Sequence, residues 1–278
     1  DKKVIVWDLQ TGANSSGRVF RGHRVPVYAA DFSPDARYVV SGDYDGKILI
    51  WEPARVLPDI SAIRSQLRQA DGPAGDGDAA LHRALSGHTD AVRAVAYSED
   101  GKQIISGGND NSVRVWNLEL APQDEGFVRV LRGHGGWVTA ALFAQQGRRA
   151  VSGGYDRRVK VWDLEHYAEF RPLAGHTDAV LDASFSPDGR QAVTASRDHT
   201  ARLWSLADGT STELAEGHDY LAMRAVFFPD GQQMLTAAFD STILKWDCAT
   251  GGQVPFSGGA RRLEGAGRDG VLALSSHA

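Results

Sequence analysis

The chain has 278 residues, a formal net charge of −5 and a pI near 6.0. A mildly acidic balance gives no electrostatic footprint for DNA or RNA, so nucleic acid is not expected as a partner. The lone Cys248 excludes an internal disulfide framework, and no stretch has the length of a transmembrane helix or the layout of a signal peptide. No membrane partner is therefore expected, and the cytoplasm is the default compartment.

In chain order, Asp1 stands 6 residues before Trp7, which reads as the tail of a unit whose earlier strands lie outside the sequence. From Gly22-His23 onward one pattern recurs five times: a Gly-His pair, then Ser or Thr 18 residues after the His, Asp 4 residues later and Trp 6 later. The sets are His23-Ser41-Asp45-Trp51, His88-Ser106-Asp110-Trp116, His134-Ser152-Asp156-Trp162, His176-Thr194-Asp198-Trp204 and His218-Thr236-Asp240-Trp246. Four residue types at fixed spacing mean one supersecondary unit repeated, and repeats of about 40 residues belong to solenoids or propellers.

Between His and Trp each unit carries three short apolar runs, as in Ala91–Tyr97, Gln103–Ser106 and Ser112–Trp116. The joins are Ser98-Glu99-Asp100-Gly101, Ser186-Pro187-Asp188-Gly189 and Phe228-Pro229-Asp230-Gly231, which favour hairpin turns between Val/Ile-rich strands. A fourth run, such as Phe127–Leu131 or Phe170–Leu173, lies between each Trp and the next Gly-His and supplies an outer strand. Each unit is thus a small antiparallel sheet, and the chain is all-β.

The stretch from Trp51 to His88 is the exception, because 37 residues separate them where 14 suffice elsewhere. The excess defines an insertion at 53–84, in which Asp59 could cap a short helix with Ile60, Ile63 and Leu67 on one face, ahead of a Gly/Asp-rich stretch from Asp71 to Asp78. At the far end Gly265-Ala266-Gly267-Arg268-Asp269-Gly270 matches a dinucleotide-loop pattern. That loop needs a strand-to-helix context, and here it lies between two strands, so it reads as a degenerate repeat junction. Val271–Leu274 reads as one more first strand, able to complete the sheet begun by residues 1 to 20. Asn14-Ser15-Ser16 is a sequon that matters only in a secreted protein, and Asp43-Tyr44-Asp45-Gly46 opens like a calcium loop but lacks the remaining ligands. No metal and no cofactor are expected.

The Gly-His starts and the Trp-Asp ends at Trp7-Asp8, Trp162-Asp163 and Trp246-Asp247 resemble WD40 repeats over essentially the whole chain, bacterial WD40 arrays in signalling proteins among them. The resemblance implies one propeller over 1–278, truncated at both ends, of four-stranded antiparallel blades: five complete repeats plus partial units, as a six-bladed ring or a piece of a seven-bladed or longer array. It also implies that the His, Ser/Thr, Asp and Trp of each unit form a structural hydrogen-bond network. The residue types fit, since indole only donates, carboxylate only accepts, and His and hydroxyl do both. His, Ser and Asp are also the parts of a nucleophilic triad, but a catalytic site is assembled once and this set recurs in every unit. No catalytic residue is assigned.

In that family the residues three and five after the His, and the one before the Asp, tend to line one mouth of the central channel. Carried over, they are Pro26, Ala91, Trp137, Ala179 and Leu221; Tyr28, Arg93, Thr139, Leu181 and Met223; and Tyr44, Asn109, Tyr155, Arg197 and Phe239. Five of the fifteen are aromatic and none is acidic in a chain with 35 acids, which is the composition of a binding surface. Tyr28, Tyr44, Arg93, Trp137, Tyr155, Arg197, Leu221, Met223 and Phe239 are the candidate contacts for a protein or peptide partner, one that is acidic with apolar anchors. The expected function is a non-catalytic interaction scaffold within a larger regulatory protein. The alternative is a small-ligand or hydrolytic site in the channel.

Overall fold

The computed structural model describes residues 2–6, 18–53, 81–144, 147–214, 218–256 and 262–264. Of the insertion expected at 53–84, Leu81 to Ala84 belong to an outer strand. Residues 54–80, with the helix read at Asp59 to Leu67, and the strand read at 271–274 lie outside the described residues. So do Trp7-Asp8 and the sequon. Among the described residues there is no α-helix, and no helix long and apolar enough to cross a membrane.

Strands β1 (Val4–Val6) and β2 (Arg18–Phe20) pair as a two-stranded sheet. Five four-stranded antiparallel sheets, here called blades, follow in chain order. The first holds β3 (Val27–Phe32), β4 (Val39–Asp43), β5 (Lys47–Trp51) and β6 (Leu81–Ser86); the second β7 (Val92–Tyr97), β8 (Gln103–Gly108), β9 (Ser112–Asn117) and β10 (Val128–Arg132). The third holds β11 (Val138–Ala144), β12 (Arg149–Gly154), β13 (Val159–Asp163) and β14 (Ala168–Leu173). The fourth holds β15 (Val180–Phe185), β16 (Gln191–Ser196), β17 (Ala201–Ser205) and β18 (Ser211–Leu214); the fifth β19 (Ala222–Phe227), β20 (Gln233–Ala238), β21 (Thr242–Asp247) and β22 (Arg262–Glu264). Within each blade the strands pair in sequence order.

The first hairpins turn where Ser and Asp are spaced to close them. The hydroxyls of Ser33, Ser98 and Ser186 donate to Asp35, Asp100 and Asp188, each at 2.6 Å, and Gly101 and Gly189 supply the left-handed backbone that completes the turn.

The apolar core lies between the blades. Ile104 and Trp116 face the first blade and pack with Val40, Ile50 and Leu85, while Ile105, Val113 and Val115 face the third and pack with Val138, Ala150 and Trp162. The same arrangement joins the third blade to the fourth and the fourth to the fifth, and Val4 and Phe20 extend it by packing on Trp51. A blade buried on both faces needs near-continuous apolar strands, which is why the central runs show no polar alternation.

Close approach between neighbouring blades depends on small residues. A Cβ on Gly42, Gly107 or Gly153 would lie 2.5 Å from Cγ1 of Val92, Val138 or Val180 on the next blade. In the fourth blade the glycine slot holds Ala195, and the facing slot holds Ala222 in place of valine. Gly153→Ala should therefore cost about 1–3 kcal/mol by overpacking. Adding Val180→Ala should recover most of that loss, and a double-mutant cycle by denaturant titration with no coupling between the two sites would refute this packing account.

Candidate functional site

Two constellations recur in every blade: a buried polar network and an exposed edge where the first strand begins. In the third blade the Trp162 indole donates to Ser152 Oγ at 2.7 Å, Ser152 Oγ lies 2.6 Å from His134 Nε2, and His134 Nδ1 lies 2.8 Å from Asp156. The hydroxyl already accepts the indole proton, so its own hydrogen goes to Nε2 and leaves Nδ1–H to donate to the carboxylate. The second and fourth blades repeat this with His88, Ser106, Asp110 and Trp116 and with His176, Thr194, Asp198 and Trp204.

The fifth blade differs by one bond. His218 Nε2 and the Trp246 indole meet on Thr236 as before, but Nδ1 donates to Thr242 Oγ1 at 3.0 Å, and Thr242 donates to Asp240. Asp240 itself is 3.7 Å from the ring.

In the first blade the expectation for Asp45 is corrected. His23 Nδ1 is paired with Asp43 at 2.7 Å, while Ser41 and Trp51 hold their places and Asp45 is exposed. The reason is visible in the second blade, where Gly108 occupies the slot of Asp43. A Cβ there would lie 2.7 Å from His88 Nδ1, so a side chain in this slot points at the imidazole. Asp43 fills that space, accepts the backbone N–H of Asp45 and Lys47, and leaves nothing for the Asp45 carboxylate to do in the network. Asp43→Ala should cost about 1–3 kcal/mol by stranding a buried His donor. Asp45→Ala should stay within about 0.5 kcal/mol in the same thermal melt, as an exposed substitution does.

Electrostatics follow the geometry. Burial alone would raise the Asp110 carboxyl, but hydrogen bonds from His88 and Ser112 outweigh it and hold the group well below the ordinary carboxylate range. Asp198 is held the same way by His176 and Thr200. Burial also lowers His23 despite the carboxylate of Asp43, which favours the neutral ring. A carboxyl depressed by folding contributes stability that is complete above its unfolded value of about 3.9 and is lost as pH falls through the folded value. The melting temperature should accordingly drop below about pH 4, and Asp110→Asn should flatten part of that drop.

These Ser–His–Asp distances are those of a nucleophilic triad, yet Ser41, Ser106 and Ser152 are 0% exposed and each accepts an indole N–H. A hydroxyl sealed between blades has no room for an acyl substrate, and the set serves to tie the second and third strands of a blade to the loop that precedes its first strand.

The exposed edge is built by a bulge. In every blade the pairing of first and second strands skips one residue: Tyr28, Arg93, Thr139, Leu181 and Met223. A bulge re-aims the side chain of the extra residue. Beside it, the backbone N–H of Tyr44, Asn109, Tyr155, Arg197 and Phe239 donates to the carbonyl of Pro26, Ala91, Trp137, Ala179 and Leu221 at 2.8–3.0 Å. One hydrogen bond and one bulge thus bring the three sequence positions together on what we call the bulge face.

On four successive blades their side chains form a continuous row. Tyr44 packs on Tyr28 (ring centroids 6.2 Å apart), the Arg93 guanidinium lies 4.1 Å from the Tyr28 ring and 5.5 Å from Trp137, Trp137 packs on Tyr155 at 5.1 Å, and Arg197 lies 5.7 Å from Tyr155. Tyr44 and Trp137 are 51% and 42% exposed, so the row is available to solvent. Ala91 and Ala179 are buried, and the Thr139 hydroxyl donates to the carbonyl of Val180. Leu221 and Met223 are partly buried on the fifth blade, where Phe239 pairs with Tyr220 at 6.0 Å. Tyr220, half exposed and also 5.6 Å from His199, was not among the sequence candidates because it falls two residues after its His, outside the three positions followed.

One group among the described residues has the composition of a cation site: Asp163, Glu165 and His166, at the turn after β13. The Asp163 carboxylate there already accepts the backbone N–H groups of Glu165 and His166 and faces the His166 ring.

Successive four-stranded blades, each closed by a Trp–hydroxyl–His network, define a β-propeller repeat protein. The family model described as "WD domain, G-beta repeat" matches residues 14–52, 80–117, 125–163, 168–205 and 210–247, well over half of the sequence, and the chain belongs to the WD40 repeat family. From the second match on, each matched repeat takes in the outer strand of one blade and the first three strands of the next. Similar proteins include "Cell division cycle 20.1, cofactor of APC complex" of Arabidopsis thaliana, 27% identical over 44% of this chain and 31% of that protein. Others are "THO complex subunit 6 homolog" of Mus musculus, 29% identical over 44% and 46%, and "Striatin-4" of Mus musculus, 28% identical over 42% and 15%. The matched stretch spans less than half the length of each of these relatives.

Proposed function

We propose that the chain is a non-catalytic scaffold that docks a protein or peptide partner on the bulge face, within a larger regulatory protein. The observation that supports this reading most is the unbroken row from Tyr44 to Arg197, in which exposed rings and partly buried guanidinia from four blades lie against one another. Aromatic and Arg side chains are the types that concentrate binding energy, and rings packed on one another are already ordered before a partner arrives. Family membership supports a scaffold in general, and two relatives are by name a cofactor of one complex and a subunit homolog of another.

The test is hydrogen exchange on the chain with a partner captured from its native host. Slowed exchange at residues 27–28, 44, 91–93, 137 and 155 on binding supports the reading. Protection confined to the outer strands β6, β10, β14 and β18 would place docking elsewhere and reject it.

A further inference from the structure

We propose that Arg93 selects the partner on this face by gripping a carboxylate of an acidic peptide segment, with an apolar residue of the same segment seated on Trp137 and Tyr155; the inference rests on the docking face proposed above. Arg93 is held from three sides. Its Nε donates to Asn109 Oδ1 at 2.9 Å, and the rings of Tyr28 and Trp137 lie 4.1 and 5.5 Å from the guanidinium carbon. Nothing else among the described residues hydrogen-bonds or ion-pairs with it, so its two terminal nitrogens keep their donors. A planar fork fixed in this way has lost little freedom still to lose on binding, and its geometry matches a carboxylate with two parallel hydrogen bonds.

Several other partly buried cations spend their donors or their charge within the fold, as Arg83 does on the carbonyls of Leu118 and Leu120. Arg114, Lys160, Arg202 and Arg224 are also partly or fully buried cations, and each faces a carboxylate: Asp110, Glu169, Glu213 and Asp182. Arg93 and Arg197, in a chain with 35 acidic residues, instead lie against aromatic rings, with no carboxylate partner among the described residues. Positive charge left unneutralised at a partly desolvated surface attracts an anion. In the row of contacts the Trp137–Tyr155 pair comes between the two guanidinia. Singly charged carboxylates on either side of an apolar residue match that order, so the segment is acidic, then apolar or aromatic, then acidic.

The experiment pans random dodecapeptides displayed on phage against the whole chain, with Arg93→Gln, Arg93→Lys and Arg93→Glu in parallel and a thermal melt on each protein. The parent should enrich Asp or Glu around an aromatic or aliphatic residue. Synthetic copies of the winners should bind Arg93→Gln roughly tenfold more weakly or worse, and Arg93→Lys should also lose affinity because it keeps the charge but not the fork. Arg93→Glu should turn the selection toward basic peptides, with all melts unchanged. Enriched peptides without acidic bias, or acidic winners that bind Arg93→Gln as well as the parent, would overturn the carboxylate grip and leave the docking face standing. Tighter binding when phosphoserine replaces the selected acid would overturn it in favour of phosphate, and a lowered melt for Arg93→Gln would make Arg93 a structural residue. No enrichment of any peptide on the parent would remove the docking face itself, and this inference with it.

Discussion

Trp162→Ala should destabilise the protein by several kcal/mol. The side chain is 1% exposed and packs in the cluster that joins the second and third blades, with Ile105, Val113, Leu131 and Val138. Removing a buried indole costs about 3–5 kcal/mol in packing alone. Its N–H is also the donor to Ser152, which in turn orients His134, so the truncation strands buried polar atoms at about 1–3 kcal/mol more. Set against a total stability of roughly 5–15 kcal/mol, this is a large share. A melting temperature within a degree or two of the parent would refute the account of the network, while Trp162→Phe, which keeps much of the volume and loses the donor, should fall between.

Trp137→Ala with Tyr155→Ala should do the opposite: weaken partner binding strongly and leave the melt almost where it was. The rings pack on each other and on the Arg93 and Arg197 guanidinia, but both are about 40% exposed, so folding draws little from them. As hot spots each should contribute about 2 kcal/mol or more to binding, and because they touch, the double loss need not equal the sum of the single ones. Titration of the captured partner against parent and double variant reads this directly. Equal affinity would discard the bulge face as the docking surface, and a large drop in melting temperature would identify Trp137 as part of the fold.

The two kinds of position differ in how legible they were in sequence, and the reason is physical. His, Ser/Thr and Trp stood out because every blade needs the same donor–acceptor chain, so selection for burial writes them at fixed spacing. Asp43 did not, because the spacing pointed to Asp45, and the space that lets a carboxylate in the slot of Gly108 reach the imidazole is a property of the folded sheet. The pairing of Gly42, Gly107 and Gly153 with Val92, Val138 and Val180, and of Ala195 with Ala222, was likewise unreadable. It joins residues of different repeats, and no periodicity within one repeat records a contact with the next. The channel-mouth positions were legible as positions; that they touch in a row depends on bulges that a string of residues does not display.

The phase of the repeat has a mechanical consequence. Since from the second match on each matched repeat begins in the outer strand of the preceding blade, tension applied to one repeat must peel a strand from its neighbour before its own three strands are free. Such an array does not come apart like beads on a thread. Load is shared across the junction, rupture of one blade exposes the flank of the next, and the chain should yield in coupled steps larger than a single repeat, as nearest-neighbour coupling in repeat proteins requires.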